Sequence, residues 1–401
     1  MNLFRLEGKV QHYAWGGYTY IPELLGIKPT DQPSAEYWMG AHPSAPSLIT
    51  TASSQEPLNQ LIQQDPANIT GPAVWEKFKE LPFLFKILDV KDMLSIQVHP
   101  TKSEAEKGFA RENAEGIPLN APNRNYKDDN HKPEIMVALS EFYLLHGFLP
   151  HAQLQEVLNA VPEFTSLVSI YENEGYFGLY KNVMEMPQSL VNIILRPLTD
   201  RLIPLYKANQ LAKTDPGFWA ARAVLNDPNS KDKLDRGIFS IYFFNIMQVQ
   251  AGDAVFQDAG VPHAYLEGQN VELMANSDNV LRGGLTPKHV DVPELLKHTR
   301  FEGIHPHIIK GDLSADGLER IYPSPAPDFE VSKINISEGQ TYQHTARAAE
   351  ILIVINGSAT IKGEDTIALQ KGQCVFTAYN ATYQVTGNAE IFKATAGRLK
   401  A

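Results

Sequence analysis

The chain has 401 residues, too many for one ordinary domain and enough for two or three units of about 150 residues each. Apolar residues make up 43% and charged residues 20%, which excludes a disordered or fibrous chain and leaves a folded one. A net charge of −11 excludes nucleic acid and an anionic membrane as main partners, since both need a broad basic face, while a small anion held by a few local Lys and Arg stays open.

The amino-terminal stretch MNLFRLEGKVQHYAWGG has no continuous apolar run, and no segment approaches the roughly 18 apolar residues of a membrane span, so a cytoplasmic protein is expected. Cys374 is the sole cysteine, which excludes internal disulfides and any multi-thiolate metal site and fits a reducing compartment. Residues 83–99, FLFKILDVKDMLSIQVH, read as two strands with a polar break at Asp89–Asp92. Residues 102–132 are polar and read as loop. A second strand pair is expected over 134–148, turning around Ser140 and Glu141.

From about 150 the spacing becomes helical, with Leu154, Val157, Leu158 and Val161 and later Leu190, Ile193 and Ile194, up to a turn cluster at Asn226–Ser230. Strand character returns with IFSIYFFNIMQV from Ile238, so 150–235 looks like a helical insertion into a β domain assembled from 1–149 and 236–312. Residues 313–401 repeat the β style, with EILIVINGSATIKG and an Asn-Gly turn at 356–357, and suggest a jelly roll that lacks a His, Asp and Glu cluster and a metal site.

Chemistry concentrates in three places. In SIQVHPT, Gln97 and His99 are two apart and share one face of a strand. In NYKDDNHKPE, Pro133 fixes the approach to Glu134, the first residue of its strand. In QAGDAVFQDAGVPHAYLEG, a hairpin is expected with His263 just past its turn. Alone, each of these is equally well a surface or core polar residue. Together they offer two imidazoles, one carboxylate and one amide oxygen, a set that suits a divalent ion. The His305 and His307 pair has the same spacing but lies among prolines with no paired acid, and it is read as loop.

The segments YAWG (13–16), AEYWMGAHPSAPS (35–47), FLFKILDVKDMLSIQVHP (83–100), DDNHKPE (128–134), GDAVFQDAGVPHAY (252–265) and ELMANSDNVLRGGLTPKHVDV (272–292) closely resemble, in order, the type I mannose-6-phosphate isomerases. The resemblance implies a mainly β fold of cupin-type jelly-roll sandwiches plus the α-helical insertion. It implies a zinc-dependent aldose–ketose isomerase acting on a sugar phosphate, monomeric as many relatives are. The family's ligands fall on Gln97, His99, Glu134 and His263, and its active-site arginine falls on Arg282 in DNVLRGGLTPK. Lys132, His131, Glu272 and Tyr265 are then the candidates for proton transfer. Lys86, Ser95, Lys132 and Lys288 are candidates for the phosphate, with Trp15 and Glu36 lining the pocket. Lys86 stands out because a lysine within FLFKIL is costly unless its ammonium finds a partner or reaches a rim. Two rival classes are a cupin that binds a sugar phosphate only as a sensor and an iron oxygenase. The second normally presents more than two His.

Overall fold

The computed structural model describes residues 2–51 and 54–399. Among them the strands form two antiparallel sheets, of eleven and ten strands, joined by a shared apolar core. Phe4, Leu6, Phe83, Phe85, Ile135, Ile351 and Phe376 belong to that core. No helix of the described residues is long and apolar enough to cross a membrane.

The ten-stranded sheet carries the expected site. Its strand Phe83–Val90 is buried at all eight positions, which is why its sequence runs apolar on both faces. It pairs on one side with Glu36–Gly40 and on the other with the long strand His263–Ala275. That long strand also pairs with Glu134–Ala138 and Phe142–Phe148, and His263 pairs with Gln97. Its register shifts between Tyr265 and Glu267. Gly268 has φ 127°, and a Cβ there would lie 2.7 Å from the Glu141 carbonyl oxygen. This bulge resets the alternation. Ala264 and Leu266 face the helices before it, and Val271 and Leu273 face the other sheet after it, so Tyr265 and Glu272 both turn inward.

The expected hairpin before His263 does not form. Ala254–Gln257 and His263–Ala275 are not paired to each other, because Glu134–Ala138 lies between them and takes a pairing edge of each.

The insertion contains the helices His151–Ala160, Thr165–Glu185, Gln188–Lys207 and Pro216–Asn226. Leu158, Leu179, Leu195 and Trp219 from these helices pack on Ile96, Val98, Ala264, Leu266 and Leu281, the outward faces of the strands that bear the candidate residues. Two expectations are corrected. Gly237–Phe243 is a helix, not the start of a strand, and only Phe244–Val249 is extended. All seven helical residues are buried, so no solvent-facing stripe marks the period. Residues 102–114, read as loop, form the helix Lys102–Ala114. Its buried positions are Ala105, Gly108 and Glu112, the last paired with Arg124 at 2.9 Å, so it lacks an apolar stripe. The overlooked signal is Thr101-x-x-Glu104, in which the Thr101 side chain accepts from the Glu104 N–H.

The second sheet gathers the strands Glu350–Lys362, Thr366–Gln370, Cys374–Thr377 and Thr382–Thr395. Leu3–Glu7 joins it by pairing with Cys374–Thr377. A buried ionic network does form in this half, although the one metal-type cluster among the described residues is His99, Glu134 and His263. His344, Glu350 and Glu319 converge with Lys393, brought together from four strands that are separate in sequence.

Candidate metal centre

The ligand atoms offered by His99, Glu134 and His263 all lie within 4.8 Å of one another, and all three residues are buried. His99 Nε2 is 3.4 Å from Glu134 Oε1, and His263 Nε2 is 3.5 Å from Glu134 Oε2. Each ring is fixed from behind. His99 Nδ1 donates to the Asn279 carbonyl at 2.8 Å and His263 Nδ1 to the Val261 carbonyl at 2.9 Å. With Nδ1 as the donor, each Nε2 lone pair is left facing the carboxylate. His99 Nε2 is fully buried and makes no hydrogen bond, an orphan that a cation would satisfy. Gln97 is the cross-strand partner of both His263 and Arg282, and directly opposed residues share a face. Two imidazoles, a carboxylate and an adjacent amide fit a divalent metal.

Charge around the cluster is arranged in layers. Burial opposes ionisation of Glu134, yet Lys132, 3.3 Å away, and His99 hold its carboxyl well below the usual carboxylate range. Burial lowers His99 to about 4, so it is neutral at pH 7 and available as a ligand. Lys86 does not reach a rim: it is buried 3.0 Å from Glu272 and 3.4 Å from Glu36, with its ammonium over the Trp38 ring. Burial works against its charge, but the two carboxylates hold its pKa above that of a free lysine. Burial raises Glu272, with Lys86 pulling the other way. The Tyr265 hydroxyl is buried without a hydrogen-bond partner, and burial and then Glu272 and Glu134 push its pKa well up.

Not every candidate comes to the cluster. Lys132, Glu272, Tyr265, Lys86 and Glu36 surround it. His131 turns away, with Nε2 3.0 Å from Asp328, on the wall of a cleft of about 680 Å³ also lined by His42, Lys102, Lys127 and Asp278. Trp15 is half-buried and stacks on Tyr13 at 5.9 Å between ring centroids, while Ser95 is half-buried and Lys288 exposed. Arg282 and Lys288 have no ion-pair partner among the described residues. Partial burial and the Arg282 charge hold the Lys288 ammonium below its ordinary value.

The sequence reading passed over three residues. Lys127, in the loop before Glu134, lies on the wall of the same cleft as His131 with its ammonium donating to the Leu119 carbonyl at 2.6 Å, and partial burial and then Arg124 and Arg282 lower its pKa. Asn279 is fully buried, and its side chain binds the backbone of Lys127, Asp128 and Asn130 while its carbonyl holds His99. Tyr13 forms the aromatic pair with Trp15. All three lie in the motifs quoted above, but nothing in their local spacing distinguishes them.

Residues 3–151 match the family described as phosphomannose isomerase type I, catalytic domain, and residues 319–395 match the mannose-6-phosphate isomerase cupin domain. The mannose-6-phosphate isomerase of Shigella flexneri is 37% identical over 379 residues, covering 94% of this chain and 95% of that protein. That of Escherichia coli is 38% identical over 383 residues, with the same shares. Among solved structures, a phosphomannose isomerase variant from Salmonella typhimurium superposes with a TM-score of 0.90 at 34% identity, covering 99% of this chain and 100% of that one. A zinc-bound mannose 6-phosphate isomerase gives 0.88 at 34% identity, with the same coverage. By its sequence along nearly its full length, its two sheets and its convergent ligands, this chain belongs to the type I phosphomannose isomerase family.

Proposed function

We propose that this aldose–ketose isomerase interconverts D-mannose 6-phosphate and D-fructose 6-phosphate, moving a proton between C1 and C2 through a cis-enediol, with one zinc ion per chain. The observation that carries this reading is the buried convergence of His99, Glu134 and His263 with an unpartnered Nε2, next to an arginine that has no carboxylate partner. Gln97, His99, Glu134 and His263 would hold the ion. When bound, zinc supplies positive charge for the oxygen that becomes anionic in the enediol, and a neutral Gln97 beside a single carboxylate leaves that charge uncancelled.

The chain's own residues supply the rest. Arg282 contributes a second positive charge with no protein anion competing for it. Together with Lys288 and Ser95 it forms the side of the site suited to a phosphate dianion. Lys86 belongs elsewhere, since Glu36 and Glu272 already outweigh its charge and would repel a phosphate. Glu272 and Lys132 border the cluster and are the groups placed to carry the proton, with the Glu272 carboxyl raised toward the range where acid–base exchange is efficient. Tyr265 closes the inner wall, and Trp15 with Tyr13 offers an aromatic face for the sugar.

The test is an assay with mannose 6-phosphate after chelation, with single metals then restored. Zinc should bring turnover back. Failure of every restored metal to bring turnover back would overturn the reading in favour of a sugar-phosphate sensor.

A further inference from the structure

The segment from Arg282 to Lys288 carries two of the cations assigned to the substrate, yet it is an irregular stretch with two positive φ angles, one of them costly. Gly284 has φ 120° and Leu285 has φ 54°, the latter disfavoured for a residue with a Cβ. Its first end is held by the sheet, where Arg282 pairs with Gln97 and Gly283 N–H donates to the Ile96 carbonyl at 2.8 Å. Its second end is held by one side chain from the end of the helical insertion. Asp235 Oδ1 accepts from Leu285 N–H at 2.9 Å and Oδ2 from Thr286 N–H at 3.1 Å. The Thr286 hydroxyl in turn accepts from the Lys288 N–H at 3.1 Å.

The clamp is itself rigid. Asp235 Oδ1 also accepts from Gly237 N–H at 2.7 Å, which turns the chain into the helix Gly237–Phe243. On either side, Leu234 is bonded to Asn192 and Gln188, and the Arg236 guanidinium donates to the Met184 carbonyl. The approach is close: a Cβ on Gly284 would lie 2.6 Å from Gly237 Cα. One carboxylate thus ties the insertion to the segment that bears the cations.

We infer that Asp235 is a positioning residue that holds the Arg282–Lys288 segment in the conformation that presents both cations to the sugar phosphate, making the helical insertion part of the substrate site. The inference rests on the roles given above to Arg282 and Lys288. A plain helix-capping role predicts a different result, and the chain contains its own control. Asp215 caps the helix Pro216–Asn226 through Gly217 N–H at 2.7 Å without a contact to the 282–288 segment.

The experiment compares steady-state kinetics and zinc content of Asp235→Ala, Asp235→Asn and Asp215→Ala. Expected for Asp235→Ala is a KM for mannose 6-phosphate raised about tenfold or more with zinc content unchanged, while Asp215→Ala keeps KM within about twofold. Asp235→Asn retains Oδ1 for Gly237 and Leu285, loses the acceptor for Thr286, and should fall between. A parental KM in Asp235→Ala, or equal KM shifts in Asp235→Ala and Asp215→Ala, would overturn the inference. If Asp235→Ala does not fold, Asp235→Asn decides alone, with a raised KM supporting the clamp and a parental one removing it. Arg282→Ala serves as the reference. Parental kinetics there would remove the functional reading beneath the clamp. A crippled Arg282→Ala beside an unaffected Asp235→Ala would remove the clamp alone.

Discussion

Lys86→Met nearly preserves side-chain volume and removes one buried charge from between two others. Nζ lies 3.0 Å from Glu272 and 3.4 Å from Glu36, so at an effective dielectric of about 20 each contact carries about 5 kcal/mol of attraction. Against this stand several kcal/mol of desolvation per ion. Removing one partner of such a buried arrangement nets a loss of about 3–5 kcal/mol in stability. The loss has a ceiling, because a stranded carboxylate can take up a proton at about 1.4 kcal/mol per unit of pKa. That makes pH diagnostic. Glu272 is already raised above 4.5, chiefly by burial, with Lys86 opposing the rise, so its folded value climbs further once Lys86 is gone. A carboxyl with a folded pKa above its unfolded one binds more protons when folded. Its contribution is therefore largest at low pH and is lost as pH rises from the unfolded value through the folded one. Urea unfolding of parent and variant at pH 5.5 and pH 8 measures this, and the deficit of Lys86→Met should be clearly larger at pH 8. A deficit below about 1 kcal/mol, the size of an exposed ion pair, or one equal at both pH values, would show that Lys86 is not the counter-ion of these carboxylates.

Gln97→Glu adds a second carboxylate beside His263, and kcat should fall roughly tenfold to a hundredfold with zinc retained. Full turnover in a zinc-loaded variant would remove the charge account of Gln97. His263→Ala takes away one of three converging ligands, so elemental analysis after dialysis should find the protein largely free of zinc. His146 is buried, its Nδ1 2.7 Å from Gln257 Oε1, and burial lowers it from 6.5 to about 4. The unfolded chain therefore binds more protons between those values, and stability falls as pH drops from 6.5 toward 4, by about 3 kcal/mol for this one residue. His146→Leu should make the acid limb of the Tm profile shallower, and an unaltered limb would refute the assignment. Thr101→Ala removes the cap of the helix Lys102–Ala114 and should cost about 1 kcal/mol, read as a shift in urea midpoint without a change in slope.

What could be read from the sequence was what is local or repeats with a period. The all-buried strand Phe83–Val90 announces itself as an apolar run, Pro133 marks the start of the strand at Glu134, and the helices of 150–235 show their spacing. The ligand set was legible only because several motifs were matched together. His99 and His263 are 164 positions apart, and the strand pairing that unites them leaves no trace in either neighbourhood. His131 shows the limit most clearly. It sits three residues from Glu134 in sequence, yet its partner is Asp328, in the turn between two strands of the other sheet, so chain proximity to a candidate ligand said nothing about where its ring points. Gly237–Phe243 and Lys102–Ala114 failed for opposite reasons. The first is apolar all round, and the second buries small residues and an ion-paired glutamate, so neither displays a one-sided apolar stripe.

The same charge arrangement occurs twice in this molecule, and comparing the two separates a structural use from a functional one. Lys86 lies between Glu36 and Glu272 with Trp38 beneath it, and Lys393 lies between Glu319 and Glu350 with Tyr342 beneath it. Around Lys393 the bonding is closed. Glu319 accepts from Ser332 and Tyr342, Glu350 from Tyr383, and His344 lies 3.0 Å from Glu350. None of these atoms is among the buried unpartnered polar atoms of the described residues. Such a network rigidifies a core and has nothing left to offer a ligand. Around Lys86 the bonding is open. His99 Nε2, the Tyr265 hydroxyl, Gln257 Nε2 and both polar atoms of Asn270 are buried without partners, each at a cost of about 1–3 kcal/mol. A fold that closes one buried ionic network completely and leaves the other open beside three converging metal-type ligands keeps its unspent polar capacity at the candidate metal centre. A lysine held between two glutamates is common to both, and the unpartnered atoms around Lys86 mark the copy to which the proposed chemistry belongs.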